Sequence, residues 1–220
     1  MNRTCADIPG SRHCREQEYG RVDWDELEIV SASDSPPPSL SKAFRYALDR
    51  LCTNGYALVE RVILMHAPGT RFPTTELDLL VVTPFGTFVV TAMRHHGTVL
   101  PGPDQETLSV VDIRGETLIR TSPARRQASA IRCLRPLLVQ HACPIQGLAV
   151  AVDLPCALHP LLPESILEAP ELYHWLRLRM IRFNSNGQRN VNVQRAFDAI
   201  ATRMDSRVEA LDEHRARVCK

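Results

Sequence analysis

Two acids, a histidine pair and a group of arginines are the residues here whose types and spacing suggest chemistry. Glu76 and Asp78 lie two positions apart in an otherwise apolar run, so in an extended strand they share one side. Carboxylates are hard oxygen donors of the kind that Mg²⁺ and Mn²⁺ select. His95 and His96 follow. Adjacent in a strand, they point to opposite faces, so one of them could join Glu76 and Asp78 in a set for Mn²⁺ or Zn²⁺. Each residue also has a plainer reading: Asp78 as an acid at a strand start with a local partner, Glu76 as a solvated turn acid, the histidines as surface residues.

The basic group comprises Arg114, Arg120, Arg125, Arg126, Arg132 and Arg135. Arg125 and Arg126 fall in the first turns of a helix opened by Pro123, where free backbone N–H groups also favour phosphate. Arg132 is seven residues beyond Arg125 and shares its face. The plain alternative is a solvated helix flank.

The elements that must position these groups are legible from periodicity. Leu40, Phe44, Ala47, Leu48 and Leu51 recur at helical spacing, and Asn54-Gly55 supplies a stop. Residues 56–65, 76–83 and 87–93 are rich in Val, Leu and Ile, and the last two are near-continuous apolar runs, as in strands buried on both faces. Thr83-Pro84-Phe85-Gly86 joins those two as a tight turn, so 76–93 is a central hairpin. Two shorter strands are expected at 107–113 and 117–120, then the Pro123 helix, a buried strand over 147–154 and a helix over 171–183. Val193, Phe197, Ile200, Met204, Val208 and Leu211 mark one stripe of a long C-terminal helix. The fold class is therefore α/β, a mixed α+β sheet flanked by helices. Residues 1–39, ending in a Pro/Ser-rich stretch, read as a flexible arm that Trp24, Leu27 and Ile29 could dock onto the body.

Bulk properties narrow the function classes. The 220 residues suffice for one full core plus tails, and a net charge of +1 gives no global field to hold the chain on nucleic acid or an acidic membrane. Any such binding must come from a local patch. Lys42 and Lys220 are the only lysines, which favours bidentate arginine contacts over amine chemistry. Seven cysteines without CxxC spacing read as free thiols in a reducing compartment. No stretch approaches the length of a membrane span, so a cytoplasmic location without membrane contact is expected.

The stretch Glu76-Leu-Asp-Leu-Leu-Val-Val-Thr-Pro-Phe-Gly-Thr-Phe-Val-Val-Thr-Ala-Met-Arg-His-His-Gly97 resembles the core of the nuclease-related domain (NERD) family. That family reads approximately as an acidic or polar residue, then Ile-Asp-x-x-Val-Val, a short turn with Gly, and Val-Phe-Val-Ile-Glu-x-Lys. Its Asn-Pro-x-x-Gln helix start has a counterpart in Ser122-Pro123-Ala-Arg-Arg-Gln127. The similarity runs in order over about 40–180, and it implies a restriction endonuclease-like, PD-(D/E)XK fold for 40–183, with 184–220 added as a C-terminal helix. On that pattern Asp78 matches the first carboxylate, the second falls on Thr91, the lysine on Met93, and Gln127 lies near the nuclease site. The family's glutamate near the first helix has no equivalent, since 41–45 contains none. A hydroxyl and a soft thioether cannot replace an acid and an amine at Mg²⁺.

The leading expectation is a nuclease-derived domain with an eroded site that binds DNA or a nucleoprotein without cutting, through Arg125, Arg126 and Arg132, and without a cofactor. One alternative is an active endonuclease using Mg²⁺ or Mn²⁺ at a rearranged site of Asp78, Glu76 and His95 or His96. Another is a protein-interaction module or homodimeric scaffold that uses the old cleft or the C-terminal stripe. Fold-level resemblance does not choose among them.

Overall fold

The computed structural model describes residues 40–69, 73–152, 155–205 and 207–218; the expected arm of residues 1–39 lies outside them. Helix α1 (Leu40–Leu51) is followed by strands β1 (Ala57–Met65), β2 (Thr74–Thr83) and β3 (Gly86–Met93). Phe44 and Leu48 are fully buried on the inner stripe of α1, and Gly55 takes the positive φ (81°) that ends the connection. The β2–β3 hairpin turns at Pro84-Phe85. The Thr83 hydroxyl locks it, accepting from Phe85 N at 3.2 Å and donating to Gly86 O at 2.8 Å. A Cβ at Gly86 would stand 2.9 Å from Pro144 O, so the turn admits only glycine without backbone movement.

After β3 the chain builds a second, smaller sheet from β4 (Gly97–Pro101), β5 (Thr107–Val111) and β6 (Thr117–Thr121). Helix α2 (Pro123–Val139) then crosses back to β7 (Ile145–Ala151), which pairs parallel with β3. Strands β8 (Cys156–Leu158) and β9 (Ile166–Glu168) extend the small and the large sheet respectively. Helix α3 (Leu172–Ser185) follows a single 3₁₀ turn, and α4 (Val193–Ala201), β10 (Met204–Asp205) and α5 (Val208–Val218) complete the described chain. The large sheet has the order β10-β1-β2-β3-β7-β9 and the small one β6-β5-β4-β8. The mixed α/β class is as expected.

Two elements differ from the sequence reading. The strands at 107–111 and 117–121 do not extend the central sheet but form the second one with β4 and β8. The expected long C-terminal helix is two helices. Met204 and Asp205 pair antiparallel with Leu64 and Ile63, so the open edge of β1 captures two residues that helical spacing alone assigns to the stripe. Ala196 and Ile200 of α4 and Leu211 of α5 are buried, so much of that stripe faces inward rather than outward to a partner. Arg207 then grips the Asp205 carboxylate through Nε and Nη2 (2.6 Å at the shortest), holding its pKa down at about 2.

The main core joins α1, α2, α3 and α4 to the large sheet; Phe88 meets Trp175 edge-on at 5.7 Å. A second apolar cluster (Met93, Val99, Leu108, Val110, Ala149, Ala151, Cys156) welds the end of β3 and β7 to the small sheet. Cys52, Cys133, Cys143 and Cys156 are free thiols, and burial pushes the Cys52 thiol up to about 11. Among the described residues no helix is long and apolar enough to cross a membrane.

Candidate functional site

Asp78 lies where β2 and β3 part. Their paired register runs from Thr83↔Gly86 to Leu79↔Val90. At the next step the Asp78 carboxylate, through Oδ2, accepts the hydrogen bond of Ala92 N at 3.0 Å. The acid thus stands in for a backbone carbonyl at the mouth of the hairpin. Two clefts open on either side of it, of about 500 and about 270 Å³, and Asp78 and Arg126 line both.

The positions matched to the missing nuclease groups have other partners. Thr91 is buried, and its hydroxyl accepts from Gln127 Nε2 at 2.9 Å. The second hydrogen of that amide goes to Leu148 O at 2.8 Å, tying α2 to β3 and β7 at once. Gly147 makes room for this: a Cβ there would collide with Gln127 Oε1. Met93 is 2% exposed and belongs to the second apolar cluster, with its edge on the smaller cleft. Glu76 lines the larger cleft beside Asp78, as period two requires, but α5 claims it. Arg215 Nη2 and Nε reach Glu76 Oε1 and Oε2 at 2.6 and 3.1 Å, a bidentate fork.

The histidine pair is not in a strand. His95 and His96 follow the end of β3 in the bend before β4, because Gly97 takes a φ of 108° there. His95 reaches the smaller cleft and His96 is exposed. The set of Glu76, Asp78 and His95 or His96 is therefore not assembled. Among the described residues no group of three or more His, Cys, Asp or Glu could hold a metal ion. With Glu76 forked on a guanidinium, Thr91 bonded to an amide and Met93 in the core, the donors here do not fit Mg²⁺.

Helix α2 separates the three arginines. Ser122 caps it, its Oγ accepting from Arg125 N at 3.3 Å, with Pro123 in the first turn. Arg125 and Arg132 lie on the exposed face, and Arg125 pairs with Glu106. Arg126 is turned about 100° from Arg125 along the helix, which sets it on the cleft flank beside Ser129. Among the described residues Arg126 enters no ion pair.

Sequence reasoning missed the contribution of α5. His214 Nδ1 lies 2.8 Å from Thr74 Oγ1 on the wall of the larger cleft, across from His66. Burial lowers the His214 pKa from its ordinary 6.5, against the opposing pull of Glu76. Arg215 reads in sequence as one charge on a mixed, exposed helix face, and His66 shows no ligand spacing. No local signal joins them to Glu76 and Thr74, which are 139 and 140 residues away from their partners.

Comparison with known families agrees with the geometry. The family model for the nuclease-related domain matches residues 40–152, from α1 through β7, which is more than half of the chain. No curated protein and no solved structure matches it. The matched segment contains the β2–β3 hairpin, Asp78 at its mouth and the Gln127 helix start, and the chain belongs to the nuclease-related domain family.

Proposed function

We propose that this domain binds nucleic acid without cutting it, as a nuclease-related scaffold whose hydrolytic site has been closed. The observation that carries this reading is the contrast at the cleft. Thr91, Met93 and Glu76 are each occupied by a protein partner, while Arg126 stands beside Asp78 with no acid paired to it among the described residues. A guanidinium at the first turns of a helix is suited to a phosphodiester oxygen. Arg132 extends the contact along α2, and Arg125 contributes less because Glu106 neutralises it.

The test is salt-dependent binding of oligonucleotides alongside plasmid cleavage in Mg²⁺ and Mn²⁺. Two to three phosphate contacts give a log–log salt slope of roughly −2 to −3, and Arg126→Ala reduces its magnitude by about one. Binding without nicking is the expected result. Metal-dependent cleavage that Asp78→Ala abolishes would overturn the proposal in favour of an active nuclease.

A further inference from the structure

A cavity of about 810 Å³ adjoins the Asp78 cleft at Gln127. It is enclosed by the β4–β5 connection, the first half of α2, β7 and the segment before β9. Its walls are apolar, with Leu108, Pro123, Ile131, Leu162 and Ile166 among them. Such a volume and character are those of a small-molecule pocket. One wall is continuous with the phosphate cleft: Gln127 lines both, and Leu108 and Pro123 also line the smaller cleft.

Building on the proposed nucleic-acid reading, we infer that this cavity receives a single unstacked nucleobase whose phosphate rests on Arg126. A base has apolar faces and a polar edge, and the cavity offers apolar walls with a few polar groups among them. Both amide hydrogens of Gln127 are committed, to Thr91 and Leu148, so what the side chain offers a ligand is the carbonyl oxygen beside Gly147. Asp104, on the same lining, is likewise an acceptor. The edge therefore suits N–H donors such as the exocyclic amino groups of adenine, cytosine or guanine. Arg126 lines both clefts and the adjacent Gln127 lines the larger cleft and the cavity, which sets phosphate and base one residue apart on α2, within the reach of one nucleotide. A base within a duplex must first be extruded to enter, which costs unstacking and unpairing energy. Single strands are thus the natural ligand.

Fluorescence anisotropy with a labelled mixed-sequence oligonucleotide, single-stranded and as its duplex, decides the matter. Ala124 is an exposed helix residue on the cavity wall, and Ala124→Trp fills the space from α2; Leu161→Trp, from a 78% exposed position on the opposite wall, is the second variant. Wild type should prefer the single strand by about tenfold, since a duplex must first unstack and unpair the base. Either tryptophan variant should bring single-strand affinity down to the duplex level and leave duplex affinity alone, whereas Arg126→Ala weakens both. Equal binding of strand and duplex, or indifference to both tryptophans, would overturn the base pocket and leave the phosphate contact standing. Failure to bind either form would take down both.

Discussion

Asp78→Ala distinguishes a carboxylate that latches a hairpin from one that waits for a metal. The carboxylate accepts the Ala92 N–H at 3.0 Å, just where the β2–β3 ladder ends, and both residues are half-buried. Removing it deletes a hydrogen bond to a charged acceptor and strands a backbone donor that only cleft water can reach. A charge-assisted bond is worth about 1.5–3 kcal/mol, and partial exposure places this one near the lower end, at about 2 kcal/mol. For a domain of this size that lowers Tm by about 4–8 °C. Asp78→Asn keeps an acceptor of the same shape and should lose only about half as much. The assay is urea and thermal unfolding of wild type and both variants, in EDTA and then in Mg²⁺. A metal ligand would behave in the opposite way. Without metal its removal would be neutral or stabilising, and Mg²⁺ at a hundred times Kd would add about 2.7 kcal/mol to wild type alone. If Asp78→Ala matches wild type in EDTA, and only wild type responds to Mg²⁺, the latch argument is wrong.

Four further outcomes follow from the same contacts. Met93→Lys, which restores the family's amine, should cost about 3 kcal/mol or more in urea unfolding, since it disrupts the second apolar cluster and partly desolvates an ammonium. Paired with Thr91→Glu it should still yield no Mg²⁺-dependent plasmid nicking; recovered cleavage would show that these positions remain open to catalysis. Gly147→Ala should drive Gln127 off Thr91 and Leu148 and destabilise the fold by about 1–3 kcal/mol, measured by the same unfolding. A double-mutant cycle on Glu76 and Arg215, whose side chains are 23% and 46% exposed, should give a coupling of about 0.5–1 kcal/mol that shrinks in high salt. Lastly, the folded-state pKa of His214 lies below 6.5, so its contribution is complete above that value and is lost as pH falls toward the folded pKa. Stability measured from pH 7 downward should fall through this window, and His214→Gln should flatten that part of the profile.

The central hairpin was legible because two apolar runs flank a Pro-Phe-Gly turn, and that pattern fits little besides buried neighbouring strands. Helix α2 was legible through Ser122, Pro123 and its inward stripe. Of the second sheet β5 and β6 were legible, but β4 and β8 were not, since β8 is only three residues long and β4 is a five-residue strand ending in proline. The break between α4 and α5 was hidden for a different reason. The apolar spacing from 193 to 211 satisfies a continuous helix, and what interrupts it is the unfilled edge of β1, which is a tertiary fact. At the candidate site, the family pattern pointed to Asp78, Thr91, Met93 and Gln127, but it could not say that Thr91 and Gln127 bond to each other or that α5 delivers Arg215 to Glu76.

Those pairings leave the cleft without the free carboxylate pair that a metal would need. A metal-dependent nuclease keeps carboxylates close together and unneutralised, and their mutual repulsion is relieved only by the cation. Here each acid already has a donor: Asp78 takes a peptide N–H and Glu76 a guanidinium fork. The hydroxyl at 91 is matched to an amide and the thioether at 93 to apolar neighbours. Arg126, which lines both clefts, and Arg94, which lines the smaller one, enter no ion pair among the described residues. The peptide N–H leaves the Asp78 charge in place, so the clefts hold a single unneutralised acid beside guanidinium groups, a weaker draw for Mg²⁺ than two free acids together. On the proposed reading, the same fold that presents acids to a metal in an active nuclease presents guanidinium groups to a phosphate here, and the loss of a free carboxylate pair is what separates holding a strand from cutting it.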